Sequence, residues 1–238
     1  MTGNEPIGGA REALLAELAR SLDGMDAVAR LGDKCVELLP VDGVSISLIV
    51  DTERRETLYA SDEVVTRIEA MQFTLGEGPC FEAFTTHRPV LVSNLRTATP
   101  TAWPIFAAEM TRQPVGAIFA FPLLGGARGL GAMDLYRKQP GWLSTADLAI
   151  ALQAVDIVTL ALLEMQMNGS DPPRWIDVPT SRHQVHQATG MLIAEFRVSP
   201  EEALARLRGY CFVTGRLIDE VADDLVARRL KPTDIDQP

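Results

Sequence analysis

The chain has 238 residues; at about 150 residues per domain that makes one large domain or two modest ones and excludes a single small module. Hydrophobic residues at 47% and charged residues at 23% give a chain able to bury a sizeable core, which excludes disorder as the dominant state. The net charge of −10 opposes long-range attraction to phosphate, yet from Thr180 onward 8 basic residues meet 9 acidic ones, against 14 and 23 before it, so only the first part is strongly acidic. The opening MTGNEP has no basic stretch or apolar run of a leader. The longest charge-free stretch, Gln113 to Ala127, falls short of the roughly 18 apolar residues a membrane helix needs, so a cytoplasmic chain with no membrane partner is expected. Cys35, Cys80 and Cys211 are far apart, odd in number and without a CxxC pair, which points to reduced thiols rather than a disulfide framework or a closed zinc site.

Apolar residues at steps of three and four predict a helix from Ala10 to Leu39, weakened or bent at Gly24 and Gly32. Val44, Ile46, Leu48 and Val50 alternate with Ser45, Ser47 and Ile49, the period of a half-buried strand, and Arg54 to Ala60 can return beside it as a hairpin. Asp62 to Gln72 reads as a helix. After the turn Leu75-Gly76-Glu77-Gly78-Pro79, a second helix starts at Pro79 and runs to Thr86, followed by a short strand from Pro89 to Ser93. A helix over Ala102 to Arg112 precedes two apolar strands, Val115 to Leu123 and Leu130 to Tyr136, with the loop Gly125 to Gly129 between them. Ser144 caps a helix reaching about Met167 that is apolar nearly all round, so one sheet face cannot cover it and a partner subunit is the simplest cover for its other side. A homodimer is therefore expected.

Asn168 to Pro179 concentrates Gly, Asp and Pro, the composition of a linker. The domains are thus residues 1–167, including flanking helices, and 180–238, joined by 168–179. Three helices are predicted in the second: Ser181 with Gln184 offers one capping box, Ser199-Pro200-Glu201-Glu202 a better one, and Gly215 can close the second helix. Their apolar faces are Val185, Ala188, Leu192 and Phe196; Ala203, Leu207 and Cys211; and Leu217, Val221 and Leu225.

The order of elements in the first part, with LGEGPCFEAF (Leu75 to Phe84) followed by RPVLVSNL (Arg88 to Leu95), resembles a GAF domain, a sensory fold with a central antiparallel sheet. The end of the chain, QVHQATGMLIAEFRVSPEEALARLRGY and then GRLIDEVADDLV, resembles an ANTAR domain, a three-helix RNA-binding module of transcription antitermination regulators. The matching residues are Ala188 and Gly190; Ser199, Glu202, Ala203, Leu207 and Arg208; and Leu217, Val221 and Ala222. Thr189 stands where many ANTAR domains carry lysine, and Cys211 where many carry alanine. Together the resemblances imply an α+β chain in which a GAF-like antiparallel sheet flanked by helices is followed by a three-helix ANTAR bundle, as in actinobacterial regulators of this type. They also imply a possible small-molecule ligand of unknown identity in the GAF part.

On that pattern, Arg182, His186 and Thr189 share one stripe of the first bundle helix, and Arg206, Arg208, Tyr210 and Arg216 lie around the second helix and the turn after it. Each alone fits a solvated face; together they fit contacts to structured RNA, since arginine binds phosphate and stacks on bases, tyrosine stacks, and single-stranded hairpin loops expose base edges. Gly190 permits close approach either of RNA backbone or of a neighbouring helix. His183 and His186 lack a third metal ligand nearby, so no metal is assigned. Cys80 follows a proline at a helix start, where a thiol pKa can fall, or is a buried small residue. No catalytic motif is found.

Two function classes follow. One is a signal-responsive antiterminator whose dimer holds paired hairpins of a nascent transcript against terminator formation. The other is a GAF-type redox sensor or an enzyme like the free methionine sulfoxide reductases, with the tail as an interaction bundle; that class uses several cysteines, and here Cys80 alone is suitably placed. Duplex DNA reading is disfavoured by the acidic Ile218 to Leu225.

Overall fold

The structure, a computed structural model, describes residues 5–20, 24–50, 55–98, 103–168 and 182–236. Its centre is an antiparallel sheet of β1 (Gly43–Ile49), β2 (Arg55–Ala60), β3 (Val90–Val92), β4 (Ala117–Gly125) and β5 (Arg128–Arg137), in the order β2-β1-β5-β4-β3. All seven residues of β1 are buried, not every second one. The reason is that helices cover both faces. On one side Val44, Ile46 and Leu48 join Phe119, Phe121, Met133 and Leu135 beneath α2 (Gly24–Leu38) and α6 (Thr145–Asn168). On the other side lie α3 (Glu63–Leu75), α4 (Pro79–Thr86) and α5 (Pro104–Met110), packed on Ile118, Ala132 and Tyr136.

The predicted helix over Ala10 to Leu39 is two elements, α1 (Glu5–Arg20) and α2. Asp62 caps α3, accepting from the Val65 N–H at 2.7 Å. The predicted five-residue loop between the last two strands is shorter: β4 and β5 pair as far as Gly125 and Arg128, leaving the two-residue turn Gly126-Ala127 with Gly126 at φ 68°. Ser144 caps α6, its Oγ accepting from the Asp147 N–H at 3.1 Å while the Asp147 carboxylate accepts in return from the Ser144 N–H at 3.2 Å.

The apolar surround of α6 has a cause inside the chain: β4 covers one side and α1 and α2 another. Leu152 and Leu160 stay 44% and 43% exposed. Over Thr145–Met165 the mean hydropathy is 1.9, so α6 is long and apolar enough to cross a membrane; Asp147, Asp156 and Glu164 interrupt it, which is why a search for charge-free stretches passes it over.

The C-terminal bundle consists of α7 (His183–Phe196), α8 (Pro200–Thr214), α9 (Ile218–Val226) and a 3-10 turn, Pro232–Asp236. Ser199 Oγ accepts from the Glu202 N–H at 3.1 Å and Gly215, at φ 67°, ends α8, as the sequence predicts. Two expectations change. Ser181 and residues 169–179 of the expected linker lie outside the described residues, and the residue capping α7 is Arg182, with no side-chain cap bond among the described residues. On α9, Ile218 rather than Leu217 fills the bundle core, and Leu217 packs instead beside α3 and α5. The bundle is docked on the first part: α8 and α9 both lie against α3.

Candidate functional site

Beneath α3 and α4 the sheet face is polar. Ser45 and Ser47 from β1, Arg55 from β2, Asp134 from β5, Glu69 and Gln72 from α3, and Cys80 from α4 are all buried. Ser45 and Ser47 donate to the two Glu69 carboxylate oxygens at 3.0 and 2.8 Å, and Arg55 pairs with Glu69. Gln72 donates to Asp134 Oδ2 at 2.9 Å and accepts from the Cys80 N–H at 2.9 Å. The Arg55 guanidinium also lies 5.1 Å from the Phe81 ring centroid.

These contacts divide the charge. Burial pushes the Asp134 carboxyl well above its ordinary value, and the Glu69 anion adds to that rise. Burial pushes Glu69 upward too, but Arg55 and hydrogen bonds from Asp134, Ser47 and Ser45 hold it below its ordinary value. Glu69 is thus the carboxylate favoured as the anion that balances Arg55, while Asp134 is driven toward its protonated form. Burial also raises the Cys80 thiol well above its usual range, against the reading of an activated thiolate. Glu69, Cys80 and Asp134 present possible ligand atoms within 4.8 Å of one another. A cation there would have to displace protons from Cys80 and Asp134 and sit beside Arg55, so the donor set as charged does not fit a metal. Cys35 and Cys211, their thiols pushed up to about 12 by burial, belong to two other packing clusters.

The residues singled out for RNA divide into four settings. His186 and Gly190 are exposed on α7 and Thr189 is half-buried, donating to the Val185 carbonyl at 2.7 Å. A Cβ on Gly190 would meet nothing within 4 Å, so no helix packs there among the described residues. Arg206 pairs with Glu202 and Asp236 at 2.7 and 2.6 Å, and Arg216 with Asp224 at 2.6 Å, so each cation already has an acidic neighbour. Tyr210 is half-buried against the bundle core. Arg182 departs from the expected open stripe: it is 5% exposed, its guanidinium 3.9 Å from the centroid of the Phe73 ring on α3. Arg208 faces the same residue, 5.3 Å from the ring, and its Nε donates to the Phe73 carbonyl at 3.1 Å.

Sequence reasoning missed Phe73 and Thr74. Phe73 is 1% exposed and packs with the bundle core, and Thr74 Oγ1 accepts from the Ile218 N–H at 3.1 Å. Beside this contact a cleft of about 380 Å³ opens between α3, α5 and the turn after α8, lined by Arg67, Arg112, Arg216, Glu109 and Glu220, with exposed Phe212 and Val213 at its edge.

The family model described as GAF domain matches residues 25–163, more than half of the chain, and that described as ANTAR domain matches residues 179–226. Comparison with curated proteins finds no match. Among solved structures, the GAF domain of a phosphoenolpyruvate-protein phosphotransferase from Coxiella burnetii is similar with a TM-score of 0.57 at 11% identity, covering 70% of this chain and 98% of that one. The GAF domain of the corresponding Acinetobacter protein gives 0.52 at 14% identity, covering 68% and 95%. Free methionine-R-sulfoxide reductase from Neisseria meningitidis, in complex with its substrate, gives 0.53 at 12% identity, covering 69% and 93%. At these identities the likeness is one of fold.

Proposed function

Since the chain belongs to the GAF-domain family and carries an ANTAR domain behind that fold, both regulatory domains, we propose that it is a signal-responsive antiterminator that holds paired hairpins of a nascent transcript against terminator formation. The observation that carries this reading is the ANTAR match on a folded three-helix bundle whose α7 keeps His186, Thr189 and Gly190 accessible on one side. Arg206 and Arg216 supply cation at the bundle surface once RNA phosphate competes with their acidic neighbours. The GAF part receives the signal, with a small molecule as its possible carrier. We further assign the domains to 1–167 and 180–238, a cytoplasmic location, and a homodimer joined through the α6 stripe of Leu152 and Leu160. Two bundles at fixed spacing are what two hairpins need, and using both compensates for the poor long-range attraction of a chain at −10.

The reductase reading is set aside because sulfoxide reduction in that class uses several cysteines, and Cys35, Cys80 and Cys211 sit in three separate clusters. Fluorescence anisotropy with a two-hairpin RNA tests the proposal. Binding that falls at least tenfold when the loop bases are replaced, and is absent for duplex DNA of the same sequence, is the expected result; equal binding to duplex DNA overturns it.

A further inference from the structure

Phe73 belongs to the GAF helix α3 but is packed with Val185, Ala188, Leu192, Leu207 and Ile218 of the ANTAR bundle. Arg182 stacks on its ring at 3.9 Å and Arg208 approaches the same ring at 5.3 Å. Two arginines of one domain thus hold a planar aromatic group supplied by the other. The fit is incomplete in one respect. Arg182 is 95% removed from solvent, and among the described residues its Nη1 has no hydrogen-bond acceptor. A buried N–H left unpaired is unfavourable, and a phenyl ring has no edge oxygen or nitrogen with which to satisfy it.

A nucleobase has the face that Phe73 offers and the acceptors that it lacks. Guanidinium planes stack on unpaired bases in single-stranded RNA while their N–H groups reach base edges. Resting on the antiterminator reading above, we propose that Arg182 and Arg208 form a stacking site for an unpaired base of a hairpin loop, and that Phe73 fills this site in the docked chain. Domain docking and base binding then exclude each other. Thr74 reinforces the docked state through its bond from the Ile218 N–H, and Glu69 and Gln72, on the same helix as Phe73, lie in the buried charge cluster. A change in that cluster reaches the stacking site through one rigid helix.

The test uses the full chain and a fluorescent RNA with two hairpins, with folding checked by circular dichroism. Phe73→Leu, which keeps an apolar side chain but removes the ring, is expected to bind at least tenfold more tightly than wild type. Thr74→Val, which leaves the ring in place and deprives the Ile218 N–H of its acceptor, gives a smaller gain. Adding Arg182→Ala to Phe73→Leu removes the gain, as does an RNA with abasic loop nucleotides. Equal affinity in all proteins overturns the stacking site and leaves RNA binding standing. Gains that persist on abasic loops overturn it in favour of a phosphate contact. Binding by no protein at all overturns the antiterminator reading, and the stacking site with it.

Discussion

At the scale of single residues, Asp134 sets the charge balance of the buried cluster. Its carboxyl is raised by burial and by Glu69, so the native protein holds a proton there that the unfolded chain releases above about pH 4. Folding takes up that proton. The stability contributed is complete below the unfolded pKa and is lost as pH rises through the native one, by up to about 1.4 kcal/mol per pH unit. Asp134→Asn keeps a neutral group of the same shape, able to accept from Gln72 and donate to Glu69. Denaturant unfolding should find it no more stable than wild type at pH 4 and more stable at pH 8 by roughly 1–3 kcal/mol. Parallel pH profiles would mean that Asp134 is ionised in the native state. Sequence reading cannot find this cluster. Ser45 and Ser47 alternate with apolar residues as a solvent face does, and the carboxylate they serve lies 24 and 22 residues away on a helix. Arg182 is illegible for the same reason, since its partner Phe73 is brought to it only by the docking of one domain on another.

At the scale of elements, what local chemistry dictates is legible. Asp62, Pro79, Ser144, Ser199 and Gly215 mark helix ends, and each marks one in the structure or stands beside one. Ser199→Ala removes an N-cap bond from an exposed position, so it should lower stability by about 1 kcal/mol with α8 still formed. A loss confined to the ANTAR transition would show that the two domains unfold separately; a change below about 0.3 kcal/mol would mean that water serves the same N–H as well. Elements decided by long-range packing are less legible. The all-round apolar character of α6 correctly signals cover on more than one side, but the cover comes from α1 and α2, whose own pattern says nothing of where they pack. Leu217 and Ile218 likewise both fit the α9 pattern, and only docking decides that Ile218 enters the bundle while Leu217 faces α3 and α5.

At the scale of the whole molecule, one helix joins the GAF fold to the ANTAR bundle. α3 carries Glu69 and Gln72 toward the sheet and Phe73 and Thr74 toward the bundle, so the two domains share a rigid element. The exposed Leu152 and Leu160 leave a narrow apolar stripe for the proposed dimer. Light scattering at micromolar concentration should give the mass of two chains for wild type and of one for Leu152→Glu with Leu160→Glu, with helicity unchanged; a wild-type mass of one chain removes the dimer from the account. Antitermination is measured most directly by transcription in vitro through a terminator preceded by a two-hairpin leader. Wild-type protein and, more strongly, the Phe73→Leu variant should raise read-through on the intact leader and leave a leader with substituted loops unchanged. Read-through that neither protein alters on the intact leader, or that both alter equally on the substituted one, would contradict it.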